Sequence, residues 1–415
     1  MNEGEGQGEG RGEEEFQPLS EVVWQRDLPL RYALISEEWD GEQTVWARCV
    51  DVEGLFQDRA DYRERLTLKD CAPTGRLRKA AERCAEGRPV PFGDLNLMVN
   101  DLDAEDEYEY DYAYCEFEDV VIVDSRPSTE ASADPADPAL LDLVVECIVT
   151  GAPRPSHKEP ARADVGLLNG TSGLPLGRCG RVEGLYRDRP GPDRPPVRLI
   201  GCEPSPHLLR RLVQARHGGD SLQLWLIDRT GRPTAVQEHI NVDVDECRPS
   251  AMGGALIDVT LKRGLFRRVL PPLEARPVWE AWHEGRPRER STWARFPTAG
   301  RAAWLGFAET CLGPEEPGAV CEMDGRYITD VPGLHCALGE AIGGPGRTWH
   351  QCWSALRGCQ CGGEIHCPPF TLVWHDADVA RRALADVSED TDGELNYFDA
   401  VVGFLERLGI TVELR

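Results

Sequence analysis

A short segment that occurs twice constrains this chain more than any other feature. Arg48-Cys49-Val50-Asp51-Val52-Glu53-Gly54-Leu55-Phe56 returns as Arg178-Cys179-Gly180-Arg181-Val182-Glu183-Gly184-Leu185-Tyr186. Downstream of each copy lies a second match. Arg65-Leu66-Thr67-Leu68-Lys69-Asp70-Cys71-Ala72-Pro73 is echoed by Arg198-Leu199-Ile200-Gly201-Cys202-Glu203-Pro204. A helix-like stretch then opens with Leu77-Arg78-Lys79 in one copy and Leu209-Arg210-Arg211 in the other. Order and spacing are kept, so the two stretches are copies of one unit, and a pair of long copies means tandem domains rather than a solenoid. Each copy is expected to be α+β. Leu222-Gln223-Leu224-Trp225-Leu226-Ile227 has the continuous apolar character of a buried strand, and Asp228-Arg229-Thr230-Gly231 supplies a turn after it. Gly54 and Gly184 mark turns that only glycine tolerates.

The repeats divide the rest of the chain. A length of 415 residues suits about two to four domains. Residues 1–27 form an acidic Gly/Glu-rich tail, expected to be mostly disordered. Repeat domain A spans 28–124 and repeat domain B spans 164–265. Between them, 125–163 is expected to be a linker, because Ser125–Pro138 and Gly151–Pro160 are rich in proline and small polar residues. Residues 266–320 form a connector rich in Trp and Arg, with Trp279, Trp282, Trp293 and Trp304. These rings either form a docking face or pack the connector against its neighbours, and packing is the expectation.

From 321 to 415 the pattern is strand, helix, loop and helix, strand, helix, helix, strand. Arg326-Tyr327-Ile328-Thr329 is expected as a short strand. Asp330 is placed to cap a helix carrying Pro332 in its first turn and Leu334, Leu338 and Ile342 at helical spacing. Phe370-Thr371-Leu372-Val373-Trp374 is continuously apolar and is expected to be the central strand. Asp376 is placed to cap the next helix. An amphipathic helix follows from Tyr397 to Leu408, and Ile410–Leu414 is the last strand. Strands alternating with helices imply a parallel sheet covered by helices.

This region resembles barstar-type domains, most closely those within larger bacterial proteins. The resemblance rests on Asp330-Val331-Pro332-Gly333-Leu334-His335-Cys336-Ala337-Leu338-Gly339-Glu340, on Gly344-Pro345-Gly346, on Ser354-Ala355-Leu356 with Cys359, and on Pro369-Phe370-Thr371-Leu372-Val373-Trp374. It covers under a quarter of the chain. It implies a three-stranded parallel sheet with helices, so the whole is expected to be multidomain, α/β and α+β. It also implies that the loop and short helix after the first helix enter a ribonuclease active site, aromatics filling the cleft and carboxylates standing in for RNA phosphates. The partner-binding residues carried over are Thr348, Trp349, Trp353, Ser354, Arg357 and Gly358. Several depart from the family: Ser354 and Gly358 stand where it has acidic residues, Arg357 lies beside the second of these, and Thr348 replaces a tyrosine.

Composition agrees with a protein that acts by binding protein. A net charge of −26 repels phosphate and disfavours direct nucleic-acid contact, whereas it speeds encounter with a basic partner. No apolar run is long enough for a bilayer, and the acidic start is the opposite of a signal peptide, so a cytoplasmic location with reduced cysteines is expected. There are 15 cysteines. Cys352, Cys359, Cys361 and Cys367 cluster near His350 and His366, but Cys359-Gln360-Cys361 lacks the usual spacing, so packed or exposed thiols are favoured over zinc. Tyr108-Glu109-Tyr110-Asp111-Tyr112-Ala113-Tyr114 alternates with period two. It is either an acidic mimic of RNA or, the preferred reading, an edge strand with a charged solvent face. Catalytic fingerprints are missing from the sequence, and His217 and His239 are isolated. The expectation is a non-enzymatic, cofactor-free ribonuclease inhibitor or toxin-immunity protein whose partner is a basic secreted or toxin-type ribonuclease, with no membrane and no small-molecule substrate. The alternative is a scaffold protein carrying a degenerate barstar-like domain.

Overall fold

The computed structural model describes residues 30–37, 43–58, 63–102, 112–129, 140–151, 159–170, 173–187, 196–214, 220–262, 270–311, 313–314, 316–349, 369–385, 387 and 396–415. It is strand-rich and mixed α/β. The first copy of the repeat gives β1 (Tyr32–Glu37), β2 (Gln43–Cys49), β3 (Asp51–Glu53), β4 (Arg63–Pro73), α1 (Gly75–Ala85), β5 (Val90–Asp101), β6 (Tyr112–Pro127) and β7 (Leu141–Gly151). The second gives β8 (Ala163–Asn169), β9 (Pro175–Cys179), β10 (Arg181–Glu183), β11 (Val197–Pro204), α2 (Pro206–Gln214), β12 (Asp220–Ile227), β13 (Pro233–Val242), β14 (Val244–Pro249) and β15 (Ile257–Leu261). Element for element the copies correspond, with β6 matched by β13 and β14 together.

The two copies do not close separately, as tandem domains would. One sheet runs β10-β4-β7-β6-β5-β8-β9, and β9 pairs back onto β4, closing a six-stranded antiparallel barrel. Its β4 to β7 come from the first copy, but β8, β9 and β10 come from the second. The other sheet runs β13-β12-β1-β2-β11-β15-β14, with β3 on β11. There β1, β2 and β3 come from the first copy and the remaining strands from the second. Each copy therefore donates its N-terminal strands to the sheet of the other. The compact units follow this exchange: Met1–Val52 groups with Arg198–Gly264 and His283–Gly285, and Glu53–Val197 groups with Leu265–Trp282 and Arg286–Arg415. In the barrel, closure by β9 on β4 removes strand edges that the strands of either copy would expose alone.

Local chemistry explains the elements. In α1, Leu77, Ala80, Ala81 and Cys84 are buried, an i, i+3, i+4, i+7 stripe that packs on β6. The barrel core is built from inward residues of its strands, among them Leu66, Leu68, Leu95, Leu97, Phe117, Val145, Leu167 and Leu176. Gly54 and Gly184 both sit at positive φ, 81° and 87°, as the turn reading required. The stretch read as a linker, 125–163, contains the whole of β7, which is paired to both β4 and β6. Proline clusters around it hid an apolar strand.

The C-terminal part contains α3 (Arg276–His283), α4 (Thr298–Phe307), β16 (Glu309–Thr310), β17 (Val320–Asp324), α5 (Val331–Gly343), β18 (Arg347–Thr348), β19 (Thr371–His375), α6 (Ala377–Ala383), α7 (Tyr397–Arg407) and β20 (Thr411–Leu414). Here β17, β19 and β20 make a three-stranded parallel sheet with β19 central. The first strand is β17, not Arg326–Thr329. The latter is a turn, opened by an Ile328 N–H that donates to Gly325 O at 3.1 Å. Asp330 caps α5 by accepting from Gly333 N at 2.7 Å. Asp376 sits before α6 at φ 50° and makes no side-chain capping bond, while Asn396 caps α7 by accepting from Asp399 N. All four connector tryptophans, Trp279, Trp282, Trp293 and Trp304, are buried. Trp279, Trp282 and Trp304 make ring contacts with one another or with Phe296 and Phe307, and Trp293 lies under the Arg301 guanidinium, so all four are packing residues.

Candidate protein-binding site

The expected binding loop leaves from the end of α5, and the structure shows how its entry is fixed. From Gly333 to Ile342 every residue of α5 is buried, as expected of a helix that is apolar on nearly all sides. Gly339 lets the chain return directly over it: a Cβ there would meet Thr348 Cα at 2.4 Å and Arg347 O at 2.6 Å. The returning segment is β18, held parallel to β16 by Glu309 N–H donating to Gly346 O at 3.1 Å and Cys311 N–H donating to Thr348 O at 2.9 Å. Glu309 also ties the entry electrostatically. Its carboxylate accepts Arg347 at 2.7 Å and Arg286 at 3.0 Å. These side chains are about one-third exposed, so the cluster fixes geometry more than it adds stability.

Of the residues carried over from the resemblance, Thr348 and Trp349 are fully buried. Trp349 lies against Phe404 of α7, with ring centroids 6.2 Å apart. Both are packed in the interior of the C-terminal unit, directly before the stretch that lies outside the described residues. Trp353, Ser354, Arg357 and Gly358 lie outside the described residues, and so do Cys352, Cys359, Cys361 and Cys367. Among the described residues no group of three or more His, Cys, Asp or Glu is placed to hold a metal. The Glu309 cluster was not anticipated from the sequence. Its only signal was three charged residues far apart in the chain, brought together by a parallel pairing that local pattern does not encode.

Two buried polar clusters support the same unit. Glu340 of α5 accepts from Ser291 N at 2.8 Å and from Trp293 Nε1 at 3.2 Å. Burial pushes its carboxyl above the usual range despite these bonds. Arg301 of α4 donates to Asp330 at 2.9 Å and to Thr329 Oγ1 at 2.6 Å, which locks α4 to the cap of α5. At the sheet's edge, Asp324 is held below the usual carboxylate range by its hydrogen bonds to Arg326.

The remaining candidates are on the barrel. A cleft there is lined by Asp70, Glu159, Arg162, Arg181 and Tyr186 among others. Burial pushes the Tyr186 phenol up to about 12. The described lining of the cleft combines carboxylates and guanidinium groups with apolar side chains. Of the tyrosine-rich stretch, Tyr108 to Asp111 lie outside the described residues. Tyr112 and Tyr114 lie on β6, paired to Asn100 and Met98 of β5. Tyr114 is exposed and its hydroxyl accepts from Asn96 Nδ2 at 2.6 Å. No described helix is long and apolar enough to cross a membrane. Comparison with protein families, with characterised proteins and with solved structures gives no match.

Proposed function

We propose that the chain is a non-enzymatic, cytoplasmic protein that works by binding another protein, and that its C-terminal unit inhibits a basic ribonuclease as barstar-type domains do. The supporting observation is the order of that unit. A strand, the Asp330-capped helix, an anchored loop entry, a central parallel strand, two helices and a final strand follow one another as the resemblance implies. Buried Thr348 and Trp349 then serve as the foot of the binding loop, and contact falls to the segment after them, including Trp353, Ser354, Arg357 and Gly358. The net charge of −26 favours encounter with a basic enzyme over encounter with RNA.

The alternative is a scaffold that binds another protein without inhibiting it. Ser354 and Gly358 favour it, because the carboxylates that would face catalytic basic groups are missing there. One experiment separates the readings. The full chain is mixed at equimolar ratio with a basic secreted ribonuclease of the barnase class, and RNA hydrolysis and complex formation are both measured. Inhibition with a one-to-one complex supports the inhibitor. A complex without inhibition supports the scaffold, and neither complex nor inhibition with such enzymes sinks the ribonuclease reading.

A further inference from the structure

The repeat matches its cysteines better than most of its sequence, and the fold brings the matched cysteines together in pairs. Cys49 ends β2 and Cys179 ends β9; Cys71 lies in β4 and Cys202 in β11. Because the copies exchange strands, Cys49 meets Cys202 of the second copy, and Cys179 meets Cys71 of the first. The registers say so directly. On β2 and β11, Arg48 faces Glu203 and Ala47 faces Pro204, so the next pair is Cys49 and Cys202. On β4 and β9, Ala72 faces Arg178 and Pro73 faces Gly177, so the next pair is Cys71 and Cys179.

The type of cross-strand position matters. Ser205 N–H donates to Trp46 O at 2.9 Å and Thr74 N–H donates to Leu176 O at 2.8 Å. These make Trp46/Ser205 and Thr74/Leu176 hydrogen-bonded pairs. Counting along each ladder, both cysteine pairs fall in non-hydrogen-bonded positions. Cα atoms there approach to about 4.5 Å, inside the span of about 4.4–6.8 Å that a disulfide bridges. The Cys49 and Cys202 sulfurs are 2.6 Å apart, and the β4–β9 register places Cys71 opposite Cys179. Both sites repeat in further detail. One residue before Cys71, Asp70 has φ 55°, and one before Cys202, Gly201 has φ 58°. The Asp70 amide donates to Asp142 and the Gly201 amide to Asp258.

We propose that Cys49–Cys202 and Cys71–Cys179 are two disulfide-forming dithiol sites, each able to staple the strands donated by one copy into the sheet of the other. The oxidant is a small-molecule disulfide of the oxidised-glutathione class. One protein thiolate attacks it, forming a mixed disulfide and releasing one small thiolate. The facing protein thiolate then attacks the protein sulfur of the mixed disulfide. The intramolecular bond forms, the second small thiolate leaves, and the two protons lost by the protein thiols reside on the two small thiols. In the folded sheets this exchange is blocked. All four cysteines are buried, and hydrogen bonding to the facing thiol, with burial, raises Cys71 and Cys202 above the usual thiol range. Exchange therefore occurs when a donated hairpin is undocked, during folding or opening. A bridge between Cys49 and Cys202 spans 153 residues, so it restricts the unfolded chain over a long loop.

The test uses the full chain, unfolded in urea, refolded with oxidised or reduced glutathione, alkylated, and digested without reduction for mass spectrometry. The expected result is two cross-linked peptides, Cys49 to Cys202 and Cys71 to Cys179, with a urea midpoint above that of the reduced protein and reversed by a dithiol reductant. In Cys49→Ala, Cys202 should become alkylated while the Cys71–Cys179 bridge persists. If this variant fails to fold, the wild-type peptide map decides alone. Alkylation of these four cysteines after oxidative refolding, or bridges joining them to other cysteines, would overturn the proposal.

Discussion

Two buried carboxylates in this protein are expected to respond to pH in opposite senses. Burial raises Glu340 above its usual range, so folding favours its protonated form. Its contribution to stability grows as pH falls through the folded value and is lost as pH rises above it. Glu340→Gln keeps an acceptor for Ser291 N–H and Trp293 Nε1 and removes the charge. It should melt at or above the wild-type temperature at pH 7 and lose the gain on acidification. Glu340→Ala strands both donors and should cost about 1–3 kcal/mol. Melting curves at pH 5 and pH 8 check this, and equal damage from both variants at pH 7 would sink it. For Asp142 burial also acts upward, but the Lys69 and Asp70 hydrogen bonds outweigh it and hold the carboxyl below its usual range. Its stabilisation is present above the unfolded carboxylate range and lost as pH falls through the folded value. Asp142→Asn should therefore flatten the acid limb of the stability profile measured by urea unfolding between pH 3 and pH 7.

At the scale of elements, the closing pairs of the barrel carry the strictest steric demands. Gly177 in β9 has φ 119°, and a Cβ on it would meet Ala72 O at 2.3 Å and Pro73 Cα at 2.8 Å. Both obstacles are backbone of the strand that closes the barrel, so neither can rotate away. Gly177→Ala should cost about 2–4 kcal/mol in urea unfolding. Gly173→Ala, also at positive φ but with open space around it, should cost about 1–2 kcal/mol. Equal effects would mean that the ladder relaxes around the methyl. Elements were legible from sequence where one local rule decided them. The Asp330 cap, the apolar run of β19 and the glycines at Gly54 and Gly184 each carry their reason within a few residues. The four buried tryptophans followed from the tendency of large rings to pack. Arg326–Thr329 misled because a β-prone dipeptide, Tyr327-Ile328, sits in a turn, and β7 was hidden between proline clusters. For the candidate site, the helix leading to the loop was legible, but the burial of Thr348 and Trp349 was not. It depends on Gly339 admitting β18 against α5 and on Phe404, far along the chain.

For the whole molecule, the duplicated sequence announced two copies but not which strands pair. Strand exchange leaves no periodic trace, since either copy would bury the same faces in its own sheet or in the other. The consequence is a chain whose N-terminal hairpin belongs to a sheet built mainly from residues after Arg198. That hairpin is held on both sides: β1 pairs with β12 over Tyr32–Ile35, and β2 pairs with β11 at Arg48 and Ala47. Leu34 and Cys49 are fully buried within it. A cut between β3 and β4 should therefore leave the hairpin in place, because main-chain ladders and buried side chains retain it without the covalent link. A protease site inserted at Arg59–Asp61 and cleaved in the folded protein should yield an N-terminal fragment that co-elutes with the remainder on gel filtration. The fragments should separate only in denaturant. If the fragment carrying β1 and β2 elutes alone under native conditions, strand exchange does not hold the sheet together. Reducing conditions are used throughout, so that any bridge at Cys49 cannot stand in for the ladder. Without reductant, a Cys49–Cys202 bridge would carry the fragment with the remainder through denaturing electrophoresis, which separates the covalent staple from the pairing that positions it.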